Sequence, residues 1–134
     1  MALAAGRLYV PWNDFAATAS ATGLTGSLAK QDFSQGRGGF TAVDAVSGRT
    51  LWRRMLPSLD FGAATVANDV VFTSTYAGTV YAFDTQTGKT LWTAKAPAGI
   101  NAFPAIDGDT LLVGAGTTGF HKSPHFQLFA YSLS

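Results

Sequence analysis

The chain has 134 residues, of which 47% are hydrophobic and 13% charged, and its net charge of +1 comes from scattered basic residues. This hydrophobic content is typical of a folded domain and argues against a disordered segment. The scattered charge argues against a nucleic-acid partner. No run approaches the length of about 18 apolar residues that a membrane span requires. All acidic residues are Asp and Cys is absent, so a carboxylate ligand or base must be an Asp, and disulfides, zinc thiolates and thiol nucleophiles are excluded.

The first predicted elements are strands. Residues 1–4 predict at most the stub of a strand, and the apolar stretch before Arg7 is too short for a signal peptide within this chain. Alternating apolar residues and turn signals then predict strands at residues 7–12, 39–44 and 49–54. The segment between the first two of these strands, residues 13–38, is predicted as a long loop.

Two further sets of strands follow. The second set is complete, with strands predicted at residues 63–67, 70–75, 79–84 and 89–94. The third set has strands at residues 103–106, 110–113 and 127–131, a second long loop at 114–126, and no fourth strand. No segment combines helical periodicity with caps, so we expect an all-β fold.

A repeat of 40 residues relates the first two sets, because residues 41–52 superpose on residues 81–92. The shared positions are Ala42, Asp44, Gly48 and Trp52 in the first copy and Ala82, Asp84, Gly88 and Trp92 in the second. Repeats of roughly 40 residues with four strands each are typical of propeller blades. The Asp of each copy can accept hydrogen bonds from the N–H groups of the turn that follows, and each indole is expected to be largely buried between neighbouring blades.

The pattern Ala-x-Asp-x-x-Thr-Gly-x-x-x-Trp resembles the tryptophan-docking motif of the pyrroloquinoline quinone (PQQ) dehydrogenase propellers and their non-enzymatic relatives, which include the outer-membrane assembly lipoproteins. The second copy matches fully, the first has Ser47 in place of Thr, and the third set keeps only Ala130, with Ser132 at the Asp position. The resemblance implies an all-β, partial β-propeller of about three four-stranded antiparallel blades. The implied units are about 1–57, 58–97 and 98–134, and we expect them to form the C-terminal part of a larger propeller.

The resemblance leaves several functions open. The first is a binding or structural scaffold, with a protein or peptide ligand on the face that carries loops 13–38 and 114–126. The second is the C-terminal part of a PQQ-dependent alcohol or sugar dehydrogenase, and the third is a structural half without activity of its own. Asp60 and Asn101 lie on the same predicted face and are candidate cofactor-binding residues, whereas no catalytic residue or metal ligand is identified.

The resemblance also implies which cofactors and partners to expect. The dehydrogenases hold PQQ with calcium by a Glu, an Asn and an Asp, and because this chain has no Glu, a complete site would need further blades. Both end units are expected to be unfinished and to expose apolar faces, and at least about four blades are needed to close a ring. We therefore expect the partners to be the remaining blades of the same propeller or further copies of the chain. The implied location is periplasmic or extracellular.

Overall fold

The structure consists of short strands joined mainly by tight turns. A computed structural model of the chain describes residues 1–14, 18–20, 23–25, 33–116 and 126–132. The strands are, in chain order, β1 (Ala2–Ala4), β2 (Arg7–Asp14), β3 (Thr18–Ser20), β4 (Gly23–Thr25), β5 (Arg37–Asp44), β6 (Thr50–Leu56), β7 (Thr65–Ala67), β8 (Val70–Ser74), β9 (Thr79–Asp84), β10 (Thr90–Lys95), β11 (Ala105–Asp107), β12 (Thr110–Ala115) and β13 (Gln127–Ser132).

These strands form three consecutive antiparallel sheets, which we call blades 1, 2 and 3. Their strand orders are β1-β2-β5-β6, β7-β8-β9-β10 and β11-β12-β13, and β3 and β4 form a separate hairpin. The helical structure among the described residues is the 3-10 turn Phe33–Gln35. The predicted all-β fold of antiparallel blades is thereby confirmed. None of the helical segments in the described residues has the length and apolar character needed to span a membrane.

Blade 1 is more complete than its sequence predicts. The expectation of an unfinished first blade is wrong, because β1 pairs with β2 from Ala2 opposite Tyr9 to Ala4 opposite Arg7. A strand of only three residues offers too few positions for an alternating pattern, which explains why it was predicted as no more than a stub. Blade 3, as predicted, has three strands in the part of the chain that the structure describes.

The loop between the second and third strands of blade 1 is shorter than predicted. The β2–β5 ladder runs from Arg7 opposite Asp44 to Asp14 opposite Arg37, so both strands extend into the range assigned to the loop. Parts of the predicted loops 13–38 and 114–126 lie outside the described residues.

The apolar core lies between the blades. Successive side chains of β8 and β9 point to opposite faces of blade 2. On one face Val71 and Phe83 pack in an apolar cluster with blade 1, and on the other Phe72, Val80 and Ala82 pack in a cluster with blade 3. We call these two contact layers the first seam (blades 1 and 2) and the second seam (blades 2 and 3). Blade 2 is therefore covered on both faces.

The outer face of blade 3, which points away from blade 2, has the residue types of a buried face. The strand registers place Leu128 and Ala130 of β13 at the positions that Phe40 and Ala42 occupy in β5. Phe40 is fully buried in the first seam, whereas Leu128 is 72% exposed. The outer face of blade 3 is thus an uncovered counterpart of the surface with which blade 1 covers blade 2.

Candidate functional site

The two repeated turns use their Asp side chains in the same way. Asp84 Oδ1 accepts hydrogen bonds from the backbone N–H of Gln86 (3.1 Å) and from the backbone N–H and the hydroxyl of Thr87 (both 2.7 Å). Asp44 Oδ1 accepts the equivalent three bonds from Val46 and Ser47. These are the bonds expected from the sequence. Each carboxylate therefore fixes the turn between the third and fourth strands of its blade.

The hydrogen bonds also stabilise the charged form of both carboxylates. The side-chain hydrogen bond from Thr87 holds the pKa of Asp84 below its usual value, and the backbone hydrogen bond from Ser47 does the same for the pKa of Asp44. Both groups are thus ionised at neutral pH. Their role in the described structure is to order a turn.

The turn of blade 2 is the surface on which blade 1 docks. Trp52 Nε1 donates a hydrogen bond to the carbonyl oxygen of Thr85 (3.0 Å), and the Tyr9 hydroxyl donates to the same oxygen (3.2 Å). Arg54 donates from Nε to the carbonyl of Gly88 (2.6 Å) and from Nη2 to that of Thr87 (3.0 Å). Three side chains of blade 1 therefore satisfy three carbonyls of one turn in blade 2.

Gly88 lies directly beneath the indole of Trp52. A Cβ atom at this position would come within 2.6 Å of the ring, so a side chain there would force the ring to move. Gly88 also has a positive φ of 66°, which residues with side chains adopt rarely. We call this arrangement, Trp52 above the turn of residues 85–88, the indole contact. It leaves Trp52 only 7% exposed.

The second tryptophan differs, and the expectation that Trp92 is largely buried is wrong. Trp92 packs edge-on against Tyr131 of blade 3 with 5.1 Å between ring centroids, yet it remains 38% exposed. Tyr131 occupies the register position of Phe83, which Trp52 contacts in the first seam. Trp52 is covered by the turn of residues 85–88, whereas the described part of blade 3 ends at Ser132, before the position of the equivalent turn.

Asp60 lies inside the first seam. Its side chain is 2% exposed, and its backbone is held by the amide of Asn13, which accepts from Asp60 N–H (2.6 Å) and donates to Asp60 C=O (3.0 Å). Its Oδ1 atom contacts the Thr73 hydroxyl (2.6 Å) and the Gly62 N–H (3.2 Å), whereas Oδ2 is buried without a hydrogen-bond partner in the described structure. Asn13 of blade 1 therefore holds the backbone of Asp60, and Thr73 of blade 2 contacts its carboxyl group.

The environment of Asp60 favours its protonated form. Burial raises the pKa of Asp60 to about 7, against the opposing effect of hydrogen bonds from Thr73 and Gly62. The Thr73 hydroxyl lies 2.6 Å from both Asp60 Oδ1 and the carbonyl of Ala63, but it has one proton to donate. A protonated Asp60 resolves this conflict, because it donates to Thr73, which then donates to Ala63.

The second candidate, Asn101, lies elsewhere. It is exposed and lines an open groove of about 420 Å³ on blade 3, together with Gly114 and Leu128. No described contact joins Asn101 to Asp60. Among the residues that the structure describes, no cluster of three His, Cys, Asp or Glu side chains could hold a metal ion.

Several residues that shape the first seam could not be predicted from the sequence. Tyr9, Asn13, Arg54 and Thr73 belong to no repeated motif, and each acts on a residue at least ten positions away in the chain. Tyr9 lies opposite Ala42 on the neighbouring strand. A large ring beside the small Ala of the motif is a pattern that could have indicated the contact surface between the blades. The other three offer no pattern that alternation or turn chemistry would detect.

Successive four-stranded antiparallel blades that pack face to face through such seams define a β-propeller. Comparison with known proteins agrees. A family model described as "Outer membrane protein assembly factor BamB" matches residues 36–123. The chain belongs to this family of PQQ-like propeller repeats.

The individual relatives include an assembly factor and a dehydrogenase. The chain is 30% identical over 79 residues to an outer membrane protein assembly factor BamB of Nitrosomonas eutropha, covering 59% of this chain and 19% of that protein. It is 39% identical over 69 residues to a quinoprotein ethanol dehydrogenase of Pseudomonas aeruginosa, covering 50% of this chain and 11% of that protein. The chain thus spans a fifth or less of both relatives.

A solved structure shows the same fold. The quinohemoprotein alcohol dehydrogenase ADHIIG of Pseudomonas putida superposes with a TM-score of 0.70 at 22% identity, over 96% of this chain and 24% of that one. This likeness supports the propeller fold, and at such low identity it carries no statement about activity.

The indole contact predicts different effects for two matched glycines. Gly48 and Gly88 both have positive φ, but a Cβ at Gly48 meets nothing within 4 Å, whereas one at Gly88 meets Trp52. We expect Gly48→Ala to lower the free energy of unfolding by about 1 kcal/mol through backbone strain and Gly88→Ala by about 2–4 kcal/mol, because the ring must also move. Urea unfolding followed by circular dichroism measures both. Equal losses of stability for the two variants would show that the packing of Trp52 does not require a residue without a side chain at position 88.

Asp60 predicts a pH dependence of stability. A pKa of about 7 in the folded state lies above the value of the unfolded chain, so the contribution of Asp60 is fully present below pH 4 and is lost as the pH rises through 7. Between pH 5 and 8 the wild type should lose on the order of 2 kcal/mol relative to Asp60→Asn, whose neutral amide imitates the protonated acid. The measurement is urea unfolding of both proteins across this range. A difference that does not change with pH would contradict the assignment.

Proposed function

We propose that this chain is a scaffold segment of a PQQ-like propeller, which holds successive blades together and presents a protein or peptide ligand with one face of the ring. The observation that carries this proposal is the use of its repeated polar residues. Asp44 and Asp84 each accept three hydrogen bonds within their own turns, and the turn of blade 2 then receives blade 1. The repeated residues therefore stabilise the turns and the contact between the blades.

The proposed ligand face is formed by the loops that connect strands and blades, and these loops pack against one another. Asp60, in the connection between blades 1 and 2, forms a β-bridge with Thr75, which directly follows β8, and the Ser58 hydroxyl accepts the N–H of Ala77 (3.1 Å). Asn13, at the start of the predicted loop 13–38, holds the backbone of Asp60 from the other side. This end of the first seam is therefore firmly ordered, which suits a surface that presents loops to a partner.

The location that accompanies this function is the periplasm or the cell exterior. One relative is named for the assembly of outer membrane proteins, a process outside the cytoplasm.

A second candidate function is part of a quinoprotein dehydrogenase, and the 39% identity to a quinoprotein ethanol dehydrogenase favours it. The described residues do not by themselves fit a PQQ–calcium site, because Asp60 is buried in the first seam and Asn101 is exposed on blade 3. Titration of the chain with PQQ and calcium tests the second candidate. A rise in melting temperature that Asp60→Asn or Asn101→Ala abolishes would favour the dehydrogenase over the scaffold.

The scaffold function requires that the outer faces of the segment bind further blades. We therefore expect the isolated chain to self-associate at micromolar concentration through apolar faces such as that of Leu128, as size-exclusion chromatography with light scattering would show. Leu128→Lys should shift the chain toward the monomer. Val46→Lys, at an exposed site on the turn of blade 1, should not. A stable wild-type monomer that unfolds cooperatively would refute the proposal.

A further inference from the structure

Two pockets on the proposed ligand face occupy equivalent positions in blades 1 and 2. The first, which we call the Arg37 pocket, has a volume of about 470 Å³ and is lined by Arg37, Met55, Leu56 and Pro57. The second, which we call the Lys95 pocket, has a volume of about 250 Å³. Its lining includes the residues found 40 positions after those four, which are Ala77, Lys95, Ala96 and Pro97. Both pockets are therefore features of the repeat.

A close backbone contact fixes the wall of each pocket. A Cβ atom at Gly78 would clash with the carbonyl group of Ala98, and a Cβ atom at Gly38 would clash with the carbonyl group of Ser58. In blade 2 the contact also includes a hydrogen bond, which the N–H of Ala96 donates to the carbonyl of Gly78 (2.7 Å). The chain that leaves the fourth strand is thus packed directly on the start of the third strand, and each pocket is set in ordered backbone.

Each pocket has a basic side chain, but the two side chains come from different strands. Arg37 is the first residue of β5, and the equivalent residue in blade 2 is Ala77. Lys95 is the last residue of β10, and the equivalent residue in blade 1 is Met55. Both pockets thus keep a positive charge although its position is exchanged. This exchange indicates that the charge matters to the pocket and that its place in the strands does not.

Neutral groups hold the ammonium group of Lys95 at the edge of its pocket. Its Nζ atom donates a hydrogen bond to the carbonyl oxygen of Ala77 and lies 3.3 Å from the Thr79 hydroxyl. Since an ammonium group has three N–H donors, at least one remains for a ligand. Among the described residues that line this pocket, Lys95 carries the only charge, and Pro97 and Ala98 contribute apolar carbon. The pocket therefore offers a positioned cation beside an apolar wall.

We propose that the Lys95 pocket and the Arg37 pocket bind two carboxylate side chains of one acidic, extended segment of the protein ligand. A single cation beside apolar carbon suits one carboxylate with its methylene groups, whereas phosphate groups are bound by several cations or by clustered N–H groups. The Lys95 pocket lies between blade 2 and the connection to blade 3, so both of its walls belong to this chain. Asp14 lies opposite Arg37 in the β2–β5 ladder and reduces the positive charge there, so the Lys95 pocket contributes more to binding.

This inference rests on the proposed scaffold function and names the chemistry of its ligand. Because the two pockets recur with the blades, a segment that crosses from blade 1 to blade 2 along this face meets both. The selectivity of the face then comes from negative charge. A general apolar surface would instead bind hydrophobic peptides whatever their charge, so the two possibilities differ in their response to the neutralisation of the peptide.

The test replaces each cation by the residue that the other blade carries at the same position. Lys95→Met copies Met55, and Arg37→Ala copies Ala77, so both substitutions introduce side chains that the repeat already accommodates. The control is Lys89→Met, which removes the same charge from the turn between β9 and β10, at the opposite end of these strands. Circular dichroism and urea unfolding check that the three variants are folded.

The probe is a fluorescein-labelled peptide of alternating aspartate and leucine, titrated with the full chain at low salt and followed by fluorescence anisotropy. We expect saturable binding, and binding at least about tenfold weaker for the same peptide with asparagine in place of aspartate. The affinity for the aspartate peptide should fall at least about threefold for Lys95→Met and about twofold for Arg37→Ala. It should be unchanged for Lys89→Met.

Three results would overturn the inference. They are the lack of saturable binding of the aspartate peptide by the folded chain, equal binding of the aspartate and asparagine peptides, and equal affinities of Lys95→Met and Lys89→Met. Self-association of the chain through Leu128 together with any of these results would mean that the acidic ligand is wrong while the scaffold function stands. A chain that is a stable monomer and binds neither peptide would contradict both proposals.

Discussion

The structure depends on one backbone turn that must carry no side chain at position 88, where the indole of the neighbouring blade lies. The carbonyl of Thr85 accepts hydrogen bonds from Trp52 and Tyr9, and Gly88 leaves the space in which the indole lies. The Asp84 carboxylate holds this turn in shape from the other side. Because a buried carbonyl without a partner is costly, two donors from the neighbouring blade tie the geometry of blade 1 to that of blade 2. A local turn thereby becomes a contact between blades.

The acidic residues that could contribute to a functional site already have structural roles in the fold. Of the carboxylates in the described structure, those of Asp44 and Asp84 are engaged by their turns and that of Asp60 is buried between two blades. Asp60 is the exception in its protonation, since burial raises its pKa to about 7 while hydrogen bonds lower the pKa values of the other two. The segment thus combines ionised groups at its turns with a titrating group in its first seam.

Much of the fold follows from local sequence, and the remainder depends on distant residues. The Asp-to-Trp spacing predicted both turns because turn chemistry is local. The alternation of apolar residues predicted most strands for the same reason. The strand β1 was predicted as no more than a stub because three residues are too few to show an alternating pattern. The exposure of Trp92 was missed because burial depends on what lies beneath the ring. The sequence placed Asp60 and Asn101 on one face but could not show that a seam encloses the first and leaves the second exposed.

The most direct test of this account is a double-mutant cycle across the first seam. If the indole requires the bare glycine, the loss of stability caused by Gly88→Ala should shrink by about 1 kcal/mol or more when Trp52 is replaced by phenylalanine, whose smaller ring leaves room for a methyl group. The loss caused by Gly48→Ala should be the same in both backgrounds. Equal losses for Gly88→Ala with and without the Trp52→Phe change would contradict the claim that the turn and the indole hold the blades together.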